Sequence, residues 1–139
     1  MITITEKSRS AVIALTELAQ RGSAGPVPIL EVAERRGIPL HFLEQLFVGL
    51  RRAGILQSQR GVKGGYSFRR PPSQVSVLDV VETVDGRLSS RADNDGPGEE
   101  LGSVWSEARA TLSELLSSLT IADMVEREAR LQSAPMFHI

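Results

Sequence analysis

Residues Leu40 to Arg69, LHFLEQLFVGLRRAGILQSQRGVKGGYSFR, set an amphipathic helix directly before a short glycine-tipped hairpin, an order that leaves few folds open. Leu43, Leu46, Phe47 and Leu50 recur at helical spacing and must face a core, which puts His41, Phe42, Glu44, Gln45, Arg51 and Arg52 outside it. Gly54 ends the helix. Two strands, Ile55 to Gln59 and Tyr66 to Arg69, are predicted around the loop Arg60-Gly61-Val62-Lys63-Gly64-Gly65. Its glycines permit positive φ, while Arg60 and Lys63 place cations at the tip, where a phosphate-lined groove would receive them.

The segments on either side complete the pattern. A helix is expected from Lys7 to Arg21, with Ala11, Leu15, Leu18 and Ala19 on one face, stopped by Gly22-Ser23-Ala24-Gly25-Pro26. A short one follows from Ile29 to Arg36, with Leu30, Val32 and Ala33 available for packing. Gly37-Ile38-Pro39 then turns the chain into the helix that begins near Leu40. Two short helices joined by a tight turn, then a β-hairpin, describe a mainly α, winged helix-turn-helix fold whose second helix can enter a major groove. Ser76 with Asp79 forms a capping box for a further helix closed by Gly86. Residues 1–86 are therefore expected to form one domain.

Residues 87–100, RLSSRADNDGPGEE, carry little apolar content and read as a flexible loop. From Leu101 the helical pattern returns with Val104, Trp105, Ala108, Leu112, Leu115, Leu116 and Leu119, and Thr120 with Asp123 opens a last helix ending near Arg130. An apolar stripe appended to a domain already complete calls for a partner, so 101–131 are expected to dimerise the chain through Leu101, Val104, Trp105, Leu112 and Leu116. The alternative is that the helix folds back on its own domain. Residues 132–139 form a C-terminal tail.

The net charge of −1 conceals an asymmetry: residues 1–72 carry 11 Lys or Arg against 5 Asp or Glu, and residues 73–139 carry 5 against 12. The N-terminal part is suited to a polyanion. Glu44 and Gln45 are candidates for base edges, Glu accepting from cytosine and Gln pairing bidentately with adenine. Phe42 either touches a thymine methyl or fills the domain core, and His41 stands beside it at the helix N-terminus. Arg60 is the minor-groove candidate, and Lys7, Arg9, Arg51, Arg52, Lys63 and Arg69 are expected to hold phosphates.

Enzymatic chemistry finds no foothold. His41 and His138 have no motif-spaced acid, nucleophile or metal co-ligand, and the glycines of Arg60 to Gly65 match neither the GxxxxGK[ST] nor the GxGxxG phosphate loop. With 0 Cys among 139 residues, disulfides, thiol catalysis and cysteine-held zinc or iron–sulfur centres are excluded, and no catalytic, metal or cofactor site is expected. No apolar run reaches the roughly 18 residues that span a bilayer, and MITITEKSRS is unlike a signal peptide, so a cytoplasmic protein without membrane contact is expected.

The runs ITEKSRSAVIAL, GPVPILEVAERRGI, LHFLEQLFVGLRRAGIL, RGVKGGYSFRRP, VSVLDVVETVDG, VWSEAR and LTIADMV resemble, over nearly the whole chain, the bacterial regulator family that includes IscR, NsrR and CymR. LEQL, then LRxAG, then RGxxGGY carry the likeness most specifically. The resemblance implies a homodimeric repressor that reads a palindromic operator in double-stranded DNA. His41, Phe42, Glu44, Gln45 and Arg60 fall where the family reads its operators.

Two departures stand out. Pro39 replaces a frequent Ser or Thr helix cap, and the three cysteines of cluster-binding members are missing from the loop. The ending Met136-Phe137-His138-Ile139 is similar to that of the cluster-free cysteine-metabolism branch, whose corepressor is cysteine synthase. That likeness implies cysteine synthase as a partner bound by the tail. A small-molecule effector on the same fold, or an interaction module that does not bind DNA, are the alternatives.

Overall fold

The computed structural model describes residues 5–22, 25–86 and 99–133. Its elements are α1 (Glu6–Arg21), α2 (Ile29–Arg36), α3 (Leu40–Arg52), β1 (Leu56–Gln59), β2 (Gly65–Phe68), a 3₁₀ turn (Pro72–Gln74), α4 (Val77–Asp85), α5 (Glu99–Ser118) and α6 (Ile121–Ser133). Local chemistry accounts for most of the boundaries. Thr5 caps α1 by accepting from the Lys7 amide at 3.1 Å, and Gly37, at φ 64°, ends α2 in the left-handed conformation that only glycine adopts freely. Pro39 offers α3 no side-chain cap, and its carbonyl accepts from the Leu43 amide at 3.0 Å instead.

The strands pair antiparallel in the register Leu56↔Phe68, Gln57↔Ser67, Ser58↔Tyr66 and Gln59↔Gly65. β1 begins one residue later than expected, and β2 lies one residue earlier in the chain than expected. Ile55 belongs to the close of α3, its amide donating to the Leu50 carbonyl, while the Arg69 amide donates to the Ile55 carbonyl just beyond the ladder. A third edge had no signal in the sequence: Val27 bridges Tyr66, exchanging two backbone hydrogen bonds of 2.9 and 2.8 Å.

One core joins α1 through α4. Leu15, Leu18, Val32, Leu43, Phe47, Leu50, Ile55, Leu56, Val75 and Val80 are fully or almost fully buried in it, and so is Ile121 of α6. The core therefore does not stop at residue 86. Leu30, expected to pack, instead points outward at 49% exposure, because α2 buries only Val32 and Ala33.

The stripe on α5 divides. Leu112, Leu116 and Leu119 are half-buried against Val77 and Val81 of α4, so Leu112 and Leu116 are not left bare by a lone chain as the sequence suggests. The reason is that α5 does fold back over its C-terminal half. Val104, Trp105 and Leu115 stay exposed at 56%, 58% and 54%. The side chain of Leu101, the segment 87–98 and the tail residues Met136, Phe137, His138 and Ile139 lie outside the described residues.

The junction of α5 and α6 is hydrogen-bonded into the domain. Ser76 and Thr120 form an antiparallel bridge, the Val77 amide donates to the Leu119 carbonyl at 2.8 Å, and the Ile121 amide donates to the Val75 carbonyl at 2.9 Å. Both residues of that bridge are also the N-caps of capping boxes, Ser76 with Asp79 and Thr120 with Asp123.

Ionic contacts secure α6 further. Glu17 of α1, almost fully buried, accepts from Arg21 at 2.9 Å and from Arg36 of α2 at 2.8 Å. Arg36 in turn grips Glu128 of α6 in a bidentate pair at 2.7 and 2.8 Å, and Gln20 donates to the same carboxylate at 2.8 Å.

Candidate nucleic-acid interface

The outward face of α3 carries His41, Glu44, Gln45, Arg51 and Arg52, all exposed, because Leu43, Leu46, Phe47 and Leu50 consume the opposite face. His41 and Gln45 sit one turn apart with their Nε2 atoms 3.4 Å from each other. Phe42, which the sequence leaves between two roles, is half-buried and packs against the core. It also lines a cleft of about 200 Å³ with Lys7, Gln45, Leu46, Gly49, Thr83 and Val84, so Lys7 and Gln45 share one opening.

The wing is held rigidly against this helix. Phe47 of α3 and Tyr66 of β2 meet edge to face with ring centroids 5.0 Å apart, and Arg51 donates to the Ser58 hydroxyl at 3.3 Å. Two glycines make the hairpin possible by close approach: a Cβ on Gly64 would lie 2.2 Å from the Gln59 carbonyl oxygen, and one on Gly65 would lie 2.3 Å from that of Val27. Any other residue would push the wing off its base. The sequence shows the glycine pair but not this crowding, because Val27 lies far upstream.

The arginines and lysines of residues 7–70 fall into two groups by their partners. Arg21, Arg35, Arg36 and Arg70 lie within salt-bridge distance of Glu17, Glu31, Glu128 or Asp79. Lys7, Arg51, Arg52, Arg60, Lys63 and Arg69 are exposed and, among the described residues, have no carboxylate within that distance. Arg9 is the exception among the expected phosphate contacts. Glu6 holds it at 3.1 Å in a fully solvated pair, an interaction worth only about 0–1 kcal/mol and easily exchanged.

Asp85, at the end of α4, is a residue the sequence did not mark. Its carboxylate accepts from the Thr5 amide at 3.1 Å, from the Thr5 hydroxyl at 2.7 Å and from the Ser8 hydroxyl. Burial works against its charge, but the hydrogen bonds from Ser8 and Thr5 outweigh it and hold the carboxyl below its ordinary range. The start of α1, and with it Lys7, is thereby tied to α4.

Iron chemistry finds no matching donor set. The chain has no cysteine, and among the described residues no three His, Asp or Glu side chains converge as a metal site would require. No described helix is long and apolar enough to cross a membrane.

Comparison with known proteins places these features in context. A family described as "Rrf2: Iron-dependent Transcriptional regulator" matches residues 4–127. The HTH-type transcriptional regulator IscR of Sodalis glossinidius is 35% identical over 131 residues, covering 90% of this chain and 79% of that protein. Among solved structures, T. potens IscR superposes with a TM-score of 0.83 at 32% identity, covering 97% of this chain and 94% of that one. CymR of B. subtilis, titled the global cysteine regulator, superposes with a TM-score of 0.82 at 28% identity, covering 91% and 98%.

Proposed function

The chain belongs to the Rrf2 family of transcriptional regulators, a non-enzymatic class, and on that premise we propose that it is a homodimeric repressor reading a two-fold symmetric operator. One observation carries this reading: between residues 7 and 70, the exposed cations that have no carboxylate within salt-bridge distance among the described residues lie on the exposed helix, the wing and the start of α1, beside Gln45 and Glu44, whose side chains suit base edges. Each α3 enters a major groove, and each wing a flanking minor groove, with Arg60 the residue for its floor. His41 and Phe42 stand at the N-terminal end of the reading helix. Lys7, Arg9, Arg51, Arg52, Lys63 and Arg69 set register on phosphates.

Dimerisation follows from Val104, Trp105 and Leu115, which a single chain leaves in water, with Leu101, Leu112 and Leu116 continuing the same helix. Light scattering at micromolar concentration tests it, and a monomer defeats it. Selection of duplexes from a random pool, followed by anisotropy titration, tests the operator; recovery of no symmetric sequence defeats the reading.

The effector proposed is a protein. A cysteine-held cluster has no ligands here, and the ending Met136-Phe137-His138-Ile139, similar to that of the cluster-free branch, supports the sulfur-metabolism reading, although IscR superposes as well as CymR does. In this reading the tail Met136, Phe137, His138 and Ile139 enters the active-site cleft of cysteine synthase, the Ile139 carboxylate standing in for that of an amino-acid substrate. Calorimetric titration of the enzyme with the full chain and with a chain lacking Ile139 tests this. Equal binding by the two forms defeats it and leaves a small-molecule effector.

A further inference from the structure

The most exposed apolar side chain described is Val62, at 106% of its reference area, at the tip of the wing. Local structure does not call for it. The Gly64 amide donates to the Gly61 carbonyl at 3.0 Å, so Val62 and Lys63 are the two central residues of a tight turn, where Asn, Asp, Gly or Pro would be the ordinary choice. A β-branched side chain there gains nothing from folding, since nothing covers it.

Its presentation is nevertheless fixed. Gly64 and Gly65 are crowded against the carbonyls of Gln59 and Val27, Tyr66 is bridged to Val27, and Tyr66 meets Phe47 of the recognition helix. The tip thus stands in a set relation to α3. Its neighbours are Arg60 and Lys63, both exposed and without a carboxylate partner among the described residues.

An apolar point between two cations, on a two-residue turn narrow enough for a cleft about 6 Å wide, matches one surface of DNA: the minor groove, whose deoxyribose walls are apolar and whose rims are phosphates. A protein surface with such narrow anionic rims is uncommon, and a membrane would need a broader apolar face than one valine. We infer that Val62 packs against the sugar walls of the minor groove and supplies a non-ionic part of the binding energy beside Arg60 and Lys63. The inference rests on the operator-reading function proposed above. It adds a contact that charge alone does not predict.

The two kinds of contact separate in their response to salt. Phosphate contacts release counterions and set the slope of log K against log salt, whereas an apolar contact shifts the line without changing its slope. The test uses the full chain and the duplex that it selects from a random pool, titrated between 50 and 300 mM potassium chloride, roughly the range over which slopes are resolved. Val62→Thr keeps the shape and replaces a methyl by a hydroxyl, and Val62→Ala removes both methyls; at an exposed turn both variants fold, as thermal unfolding verifies. Both are expected to bind roughly three- to tenfold more weakly at every salt concentration, with the wild-type slope. Lys63→Ala, the control, should flatten the slope by about 1. If Val62→Thr binds as the wild type does, the apolar contact is overturned, whatever the alanine variant shows. If the wild-type protein selects no duplex, the operator-reading function itself has failed, which is a different result.

Discussion

Two surfaces of this molecule are rich in arginine, and they use it in opposite ways. Along the seam of α1, α2 and α6, Arg21 and Arg36 are partly sheltered and each is held by Glu17, with Glu128 completing the grip on Arg36. On the face formed by α3 and the wing, Arg51, Arg52, Arg60 and Arg69 project into water, with no acid in reach among the described residues. The same side chain is a structural clamp on the first surface and, under the proposed function, is left available to DNA phosphates on the second. Substitutions should therefore move stability on the first surface and DNA binding on the second.

The largest expected effect is at Glu17. Glu17→Ala removes the buried acceptor that Arg21 and Arg36 share, and because Arg21 keeps Glu31 and Arg36 keeps Glu128, the expected cost is that of the charged hydrogen bonds lost, roughly 1.5–3 kcal/mol for each. Urea unfolding followed by circular dichroism measures it, and a loss below about 1 kcal/mol would mean that the seam is no clamp. Next come Gln45→Ala and Arg60→Ala, each expected to weaken specific binding by roughly 1–3 kcal/mol while leaving the unfolding midpoint in place. Unchanged operator discrimination in Gln45→Ala would remove it from the reading surface.

A smaller effect is expected from Lys63→Ala, which should lower affinity alike for specific and unrelated duplexes and change folding by no more than about 0.5 kcal/mol. A selective loss on the specific duplex would instead make Lys63 a reader of bases.

The smallest is a pH dependence confined to the clamped surfaces. The hydrogen bond from Arg36 holds the Glu128 carboxyl below its ordinary range, overcoming its burial, and Asp85 is lowered by Ser8 and Thr5. A folded-state pKa below the unfolded value means stability that is full above the unfolded pKa, near pH 4, and is lost as pH falls through the folded value. Glu128→Gln should therefore show a shallower loss of stability below about pH 4 than the wild type, by urea titration across pH. Parallel curves would separate Glu128 from acid sensitivity.

Much of this contrast was legible before any coordinates. α2 was readable because Gly37 ends it, and both capping boxes followed from Ser76 with Asp79 and Thr120 with Asp123. The exposed face of α3 followed from spacing alone. What could not be read was anything set by a partner distant in sequence. Val27 makes a single bridge, too short to show any periodicity, and Asp85 looks like an ordinary helix-end carboxylate until Thr5 and Ser8 are brought to it. Phe42 and Leu30 are both apolar residues on amphipathic helices, and only the packing decided that the first turns inward and the second stays in water. On α5 the pattern is continuous, but α4 covers only the C-terminal half, so an unbroken stripe became two surfaces.

The bridge between Ser76 and Thr120 has a further consequence, for how the chain opens. The amides of Val77 and Ile121 are held by carbonyls of Leu119 and Val75, each more than forty residues away along the chain, and Ile121 itself is wholly buried. Neither bond can break by fraying of a helix end, since breaking one requires the last turn of α5 to leave α4. Protons on these two nitrogens should exchange with solvent only when the whole fold opens, whereas those in the exposed turns around Val104 and Trp105 exchange through local excursions. Viewed by exchange rather than by shape, the start of α6 should count with the core rather than with the exposed turns of α5.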